Sequence, residues 1–370
     1  SMNKDFRFFD SRQKYLLFVT TTNEKSIIAE KISTQIKNIK PQKPALKIFD
    51  AGLGDGTLLM SVLRNCHREF PTIPFLVFGK EISMEDVRLS IEKLSDRFME
   101  HPNMVFVVSN LYYAEAASLT SNNANKQKRI NWETLRLDGN SSFEFSQQLS
   151  QLDEMLHNNW QVEQHPKSGN PTYKLPSVLI IYRQDQEFAL DHIIPQPDGS
   201  KNYFDLIIAS QPYRSRINVQ KKIDYVVKPM IHALSSGGKL ILVHASGNDS
   251  GSEIIQKVWP NDNPFPSLAN DIITCLKDTL DDDILNKIIF QQPETFRYDL
   301  RALPNEIENS IGTSLIFSSW NAATYVSQVN NENIMKAEHD GQYIQYIQET
   351  IKKYGGLWFN DELLVIEHKE

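Results

Sequence analysis

The segment Lys47-Ile48-Phe49-Asp50-Ala51-Gly52-Leu53-Gly54-Asp55-Gly56-Thr57 constrains the fold more than any other part of the chain. A short apolar run ends in an aspartate, opens into a glycine-rich turn and passes at once into an amphipathic stretch with Leu58, Leu59, Val62 and Leu63. This predicts a strand, a tight loop and a helix: the first βα unit of a nucleotide-binding α/β domain. Gly52, Gly54 and Gly56 leave the loop without Cβ atoms, so its backbone N–H groups can approach a ligand closely. A phosphate-binding P-loop fits poorly, because Thr57 stands where its lysine would follow the last glycine.

Further strands are predicted at Pro74–Gly79, Met104–Val108, Phe204–Ala209 and Gly238–Val243. These apolar runs lack clean alternation, as expected of strands buried on both faces of a parallel sheet. The second ends in Lys80 and Glu81, and a carboxylate there can accept hydrogen bonds from both hydroxyls of a ribose. NAD-type folds also carry an acid at that point, so Glu81 does not choose between cofactors, and a solvated residue leading a helix over 84–94 is the plainer alternative. The third strand ends in Ser109-Asn110, where an adenine amine could be read, and the fourth in Ser210-Gln211-Pro212-Tyr213. Gly237-Gly238 marks a helix stop followed by a strand. The loop pattern Asp-x-Gly-x-Gly-x-Gly, with this series of strands, resembles class I methyltransferases that use S-adenosylmethionine (SAM). The resemblance implies a Rossmann-like α/β sheet with helices on both faces, and SAM as cofactor.

Composition narrows the function classes. With 370 residues, 40% hydrophobic and 23% charged, the chain can bury one large core and a smaller satellite region. A net charge of −7 argues against a nucleic-acid partner held by many phosphate contacts. A basic patch at Lys126, Lys128 and Arg129 reads more simply as a solvated loop. No run reaches the ~18 apolar residues of a membrane span, and no signal-peptide pattern is seen, so a cytoplasmic protein is expected. Ser1-Met2 reads as a scar of tag removal. Cys66 and Cys275 lie far apart and read as thiols in a reducing compartment, and the nine histidines show no ligand spacing, so no metal is expected.

The chain divides into a host domain and its additions. Residues 1–40 read as an N-terminal helical cap, and 41–113 and 203–250 as the two halves of the core. Residues 114–202 interrupt the core between its third and fourth strands. This insert opens with a polar tract, 118–127, read as a loop or hinge, followed by a helical pattern over 143–156. It ends on the strand-like run Ser177–Tyr182, which is alternatively a native strand of the main sheet. Residues 251–355 read as a mostly helical substrate region with one apolar stretch, Thr313–Phe317, and 356–370 as a terminal strand returning to the core.

Several local matches in order resemble histamine N-methyltransferase and its relatives. They are Phe9–Tyr15 with Thr20–Glu24, the turn Glu81–Asp86, Ser210–Tyr213, Leu240–Gly251 with Trp259 beyond, and Phe359-Asn360-Asp361. The resemblance covers about three-quarters of the chain and leaves out the insert. It implies an acidic substrate contact at Glu24, a ribose-binding turn from Glu81 to Asp86, a substrate-facing Gln211 and an aromatic wall. Asp361 stands where the family carries an asparagine, which implies a more positively charged substrate or a different donor and puts histamine itself in doubt.

Methyl transfer requires mainly that a nucleophile be aligned with the S–CH3 bond at about 3–3.5 Å. Glu24, Gln211 and Asp361 are therefore the candidate catalytic residues, holding a small amine or imidazole and accepting its proton. A turn residue for Gln211 and Asp361, and a helix N-terminal acid for Glu24, explain these positions almost as well. Asp50, Gly52, Gly54, Gly56, Glu81, Asp86, Ser109, Asn110 and Ser210 are the candidate cofactor contacts. Tyr15, Phe18, Tyr213, Trp259 and Phe317 are candidates for a wall that excludes water and faces a cation; each taken singly is more often core. Two other readings stay open: Ser210–Tyr213 as a degraded Asn-Pro-Pro-Tyr motif with a protein docked on the insert, and a SAM-fold module without activity.

Overall fold

The computed structural model describes residues 2–211, 215–302, 307 and 311–370, with side chains from residue 12 onward. Two helices, α1 (Met2–Thr21) and α2 (Glu24–Ile36), precede β1 (Leu46–Asp50). The glycine loop then leads into α3 (Thr57–Glu69), β2 (Phe75–Lys80), α4 (Met84–Glu92) and β3 (Met104–Ser109). The following strands are β4 (Asn131–Leu137), β5 (Val162–Gln164), β6 (Pro171–Tyr173), β7 (Ser177–Arg183) and β8 (Phe204–Ser210). The last four are β9 (Leu234–Ala245), β10 (Ile288–Phe290), β11 (Glu294–Asp299) and β12 (Trp358–His368).

One ten-stranded sheet runs in the order β10-β12-β9-β8-β1-β2-β3-β7-β4, with β11 also pairing with β12, while β5 and β6 form a separate hairpin. The five central strands, β3-β2-β1-β8-β9, are parallel, and β12 lies antiparallel to β9. Strand order proceeds outward from β1 in one direction through β2 and β3, and in the other through β8 and β9. The reversal opens a crevice beyond the C-terminal ends of β1 and β8, where ligands of open α/β sheets bind.

Period-two alternation distributes the strand residues to two cores. Ile48, Val77, Phe106, Leu206 and Ile241 face α2, α3 and α4 through Ile28, Leu59 and Val87. Phe49, Phe78, Val107, Ile207 and Leu242 pack on the opposite side against Val226, Met230 and Ile272. A third cluster joins Phe18 of α1 to Tyr298, Trp320, Ile347 and Phe359. The glycine loop closes on Gly56, whose φ of +83° and 3.0 Å approach to the Ser90 Cα leave no room for a Cβ. No helix of the described residues is long and apolar enough to cross a membrane.

Four local expectations change. The run Ser177–Tyr182 belongs to the main sheet: β7 lies antiparallel to β3, parallel to β4, and is buried along its whole length. The helical pattern over 143–156 becomes two helices, Ser142–Ser150 and Asp153–Asn159, which bury Phe145, Leu149 and Leu156 in the central core. The polar tract 118–127 contains the start of a short exposed helix, Ala124–Arg129, capped by the Asn123 side chain. The apolar stretch 313–317 opens a helix, Thr313–Val326, and the region around it contains strands β10 and β11 that the sequence reading omits.

Candidate active site

The crevice between β1 and β8 begins at Asp50. Its Oδ1 accepts the Gly52 N–H at 3.0 Å, and its buried Oδ2 has no protein partner. Burial pushes this carboxyl up to about 6, against the opposing pull of the Gly52 N–H and Lys25. Glu81, at the end of β2, accepts the Gly54 N–H on one oxygen (2.9 Å) and the Ser83 N–H on the other (3.0 Å). Each oxygen is thus oriented by the backbone and keeps a lone pair for another donor. Gly54 has φ +56°, and a Cβ built there would stand 2.2 Å from the Tyr15 hydroxyl.

Helix α1 covers this loop. Tyr15 meets Asp55 Oδ1 at 3.4 Å, and Arg12 donates to Asp86 Oδ2 at 3.1 Å. Asp86 lies in the first turn of α4, which the Ser83 hydroxyl caps. Burial and the neighbouring Glu81 push its carboxyl up to about 7, with Arg12 opposing. On β3 the Ser109 carbonyl accepts the Glu81 N–H at 3.0 Å. Asn110, the expected adenine contact, uses its side chain within the protein. Its amide donates to Leu175 O (2.9 Å) and Asn159 O (3.3 Å) and accepts the Ser177 N–H (2.8 Å), so its side chain ties β3 to the insert. The Ser210 hydroxyl, at the end of β8, is buried and has no protein partner.

Next to Ser210 stands a buried acidic cluster. Glu24 opens α2, Gln211 follows β8, and Asp361 lies on β12 opposite Ala245 of β9 and Phe296 of β11. Far apart in sequence, the three meet in space. The Gln211 amide nitrogen lies 3.5 Å from Glu24 Oε2 and 3.4 Å from Asp361 Oδ1. Glu24 Oε1 and Asp361 Oδ2 are buried without a hydrogen-bond donor, although the Lys25 ammonium stands 3.5 Å from Glu24 Oε1. Burial, the Glu24 charge and a hydrogen bond to Glu24 raise the Asp361 carboxyl well above the usual range. Gln211 adopts φ +53°, a left-handed conformation that costs a non-glycine residue about 1–2 kcal/mol. Its backbone is thus held out of the relaxed region where it presents its amide to both acids.

Tyr298 of β11, absent from the sequence-based set, completes the cluster. It is fully buried and its hydroxyl has no protein partner. Burial and the nearby Glu24, Asp361 and Asp249 raise its phenol well above 10, so it remains a neutral donor. Around it, Phe18 contacts Tyr298 edge-on at 6.0 Å and Tyr325 at 4.9 Å, and Phe359 stacks on Tyr298 at 5.4 Å. Tyr15 reaches Tyr325 at 6.1 Å. Tyr15 and Phe18 therefore belong to one aromatic wall. Trp259 instead stacks on Trp320 at 5.9 Å, and Phe317 is 63% exposed on the outer face of its helix, which removes it from the wall. Tyr213 lies outside the described residues.

The cluster offers two carboxyl groups, an amide, a phenol and ring faces, with Lys25 at its edge and Arg12 over the Tyr15 ring at 5.4 Å on the far side of the aromatic wall. Such a donor-poor set suits a ligand that brings N–H groups or positive charge. The crevice beside it fits a SAM-type cofactor, having a Cβ-free loop, an orphaned Asp50 oxygen, an oriented Glu81 carboxylate and an unpartnered Ser210 hydroxyl. Among the described residues, no group of three or more His, Cys, Asp or Glu side chains could hold a metal ion.

The parallel order β3-β2-β1-β8-β9, followed by an antiparallel terminal strand, is that of the Rossmann-like class I SAM-dependent methyltransferase fold. No family model and no curated protein matches the sequence. Among solved structures, the chain is similar to the YcgJ protein from Bacillus subtilis, at 11% identity over 91% of this chain and 97% of that one, with a TM-score of 0.38. It is also similar to coclaurine N-methyltransferase bound to N-methylheliamine and S-adenosylhomocysteine, at 9% identity over 94% of this chain and 70% of that one, with a TM-score of 0.36. A geranyl diphosphate methyltransferase in complex with SAM matches at 9% identity over 92% of this chain and 85% of that one, with a TM-score of 0.33. These likenesses are distant, and the fold assignment rests on strand order and the glycine loop.

Proposed function

We propose that this chain is a SAM-dependent N-methyltransferase acting on a small amine- or imidazole-bearing molecule. The observation that supports it most is the convergence of Glu24, Gln211 and Asp361 beside the cofactor crevice, with two carboxylate oxygens left without donors. The backbone of Gly52, Gly54 and Gly56, with Asp50 and Glu81, would hold the cofactor, whose chemistry is an electrophilic methyl group on sulfur. Glu24 and Asp361 bind the cationic nitrogen, and the aromatic wall of Tyr15, Phe18, Tyr298 and Tyr325 excludes water around it. An amine must expose a lone pair to react. Asp361, whose carboxyl is raised by burial and by Glu24 and would ionise as a cationic substrate enters, would accept the amine proton, and Gln211 fixes the direction of the remaining N–H bonds. Two carboxylates in place of one favour substrates with more positive charge than a simple imidazole.

The test is transfer of labelled methyl from SAM to a panel of amines and imidazoles, with carboxylic acids and a protein mixture as controls. The expected product is an N-methylated amine. Labelling of a protein or a carboxylic acid alone would overturn the substrate class, and no transfer to any acceptor would favour a non-catalytic module.

A further inference from the structure

A polar cavity of about 360 Å³ lies outside the acidic cluster, between α2, α3 and the chain that follows β11. Helix α3 contributes Thr57, Ser61, Asn65 and Arg68, a spacing that places all four on one helical face. Lys25 enters from the first turn of α2 and Arg301 from beyond β11. Backbone pairing fixes Arg301 against the α1–α2 junction: its N–H bonds Thr21 O at 2.8 Å, and Leu300 bridges Thr22. The cavity is therefore framed by rigid elements.

Its charge is opposite to that of the molecule. Three cations, Lys25, Arg68 and Arg301, face one carboxylate, Glu30, on a chain of net charge −7. Among the described residues, neither guanidinium has an ion pair or side-chain hydrogen bond, although other surface arginines, such as Arg216 with Asp262, are paired. The Ser61 hydroxyl and the Asn65 amide add neutral donors, while the Thr57 hydroxyl is already donated to Asp55 Oδ2 at 2.8 Å. Planar guanidinium forks, an ammonium and a hydroxyl together match the geometry of a tetrahedral oxyanion better than a monovalent halide. The volume is at the low end of small-molecule sites, about 300–1,000 Å³, which leaves space for a phosphate with a compact organic group.

We propose that this cavity binds a small phosphate-bearing ligand, with Arg68 and Arg301 gripping the phosphate and Lys25 at the inner wall. Glu30 takes a hydroxyl or ammonium of the organic part. Lys25 is also the cation 3.5 Å from Glu24 Oε1, so the site adjoins the acidic cluster through a single side chain.

The test is calorimetric titration of the full chain with inorganic phosphate and with glycerol 3-phosphate, at ionic strength held constant with sodium chloride. No SAM is needed, so the outcome is independent of the methyltransferase reading. Saturable binding is expected, at least tenfold weaker in the Arg68→Gln/Arg301→Gln double variant. Both positions are at the surface, and an unchanged circular dichroism spectrum and unfolding temperature would show that the variant is folded. If the double variant does not fold, Arg301→Gln alone serves, with a loss of several-fold expected. Heats indistinguishable from the chloride control, or equal affinity in wild type and variant, would overturn the proposal.

Discussion

Around β3 and β7, the buried side-chain polar atoms of the described residues are matched to partners. Asn110 uses its amide nitrogen twice and its oxygen once, the Ser177 hydroxyl reaches Leu175 O and Asn159 O, and Trp160 Nε1 donates to Glu81 O at 2.8 Å. On the other side of β1, at the ends of β8 and β12, the pattern is reversed. Glu24, Asp361, Ser210 and Tyr298 all keep buried polar atoms without donors or acceptors from the protein. The named side chains of both regions are buried, so burial does not distinguish them. An unmatched buried polar group costs about 1–3 kcal/mol, more if charged. Where several such groups are gathered in one cluster, the fold bears a cost that a ligand can relieve. We read the insert side as scaffold and propose the β8–β12 end as the site.

The largest effect should come from the scaffold side. Removing residues 114–202 would take away β7 and the Phe145, Leu149, Leu156 and Trp160 side chains packed in the central core. The expected outcome is no soluble folded protein, read by expression and circular dichroism. A folded deletion variant that still binds SAM would show that the insert is an independent flap and break the comparison.

Asn110→Ala should be next. It strips the Ser177 N–H and the Leu175 carbonyl of a partner, and a loss of about 1–3 kcal/mol is expected in urea unfolding. Affinity for SAM should stay within a few-fold. A large loss of SAM affinity with unchanged stability would instead restore Asn110 as an adenine contact.

A smaller effect is expected with pH. Asp50 and Asp86 are raised from 3.8 to about 6 and about 7, so the folded state holds their protons more tightly than the unfolded chain. Their stabilising contribution is full below pH 3.8 and is lost as pH rises through about 6 to 7. Unfolding temperatures of wild type and Asp50→Asn should therefore diverge as pH rises from 3.8 to about 6, the variant becoming relatively more stable. Parallel curves would show that Asp50 is ionised at no cost.

The contrast also explains what the sequence made legible. The parallel core could be read because β1, β2, β3, β8 and β9 are continuous apolar runs, which are required of strands covered on both faces. Strand β4, Asn-Trp-Glu-Thr-Leu-Arg-Leu, lies at the sheet edge and is half exposed, so it carries little apolar signal. Strands β10 and β11 are short, and β10 has only three residues. Missing β11 meant missing Tyr298, although the alternation Phe296, Tyr298 between Thr295, Arg297 and Asp299 was available. Glu24, Gln211 and Asp361 were visible as polar residues at the ends of elements. Their meeting depends on β12 pairing with β9, a long-range contact that no local pattern specifies. Asn110 shows the reverse: nothing in the local sequence announces that its side chain bonds Leu175, Asn159 and Ser177 of the insert.

The central claim is that the unmatched acids at the β8–β12 end await a cation, and calorimetric titration of cationic amines in the presence of S-adenosylhomocysteine tests it most directly. Wild type should bind at least one such amine, and Asp361→Asn should bind it at least tenfold more weakly, since a charged hydrogen bond contributes about 1.5–3 kcal/mol. The same variant should unfold at an equal or higher temperature than wild type, because an amide replaces a carboxyl that burial and Glu24 make costly to ionise. Equal amine affinity in the two proteins, or a marked loss of stability in Asp361→Asn, would contradict the account.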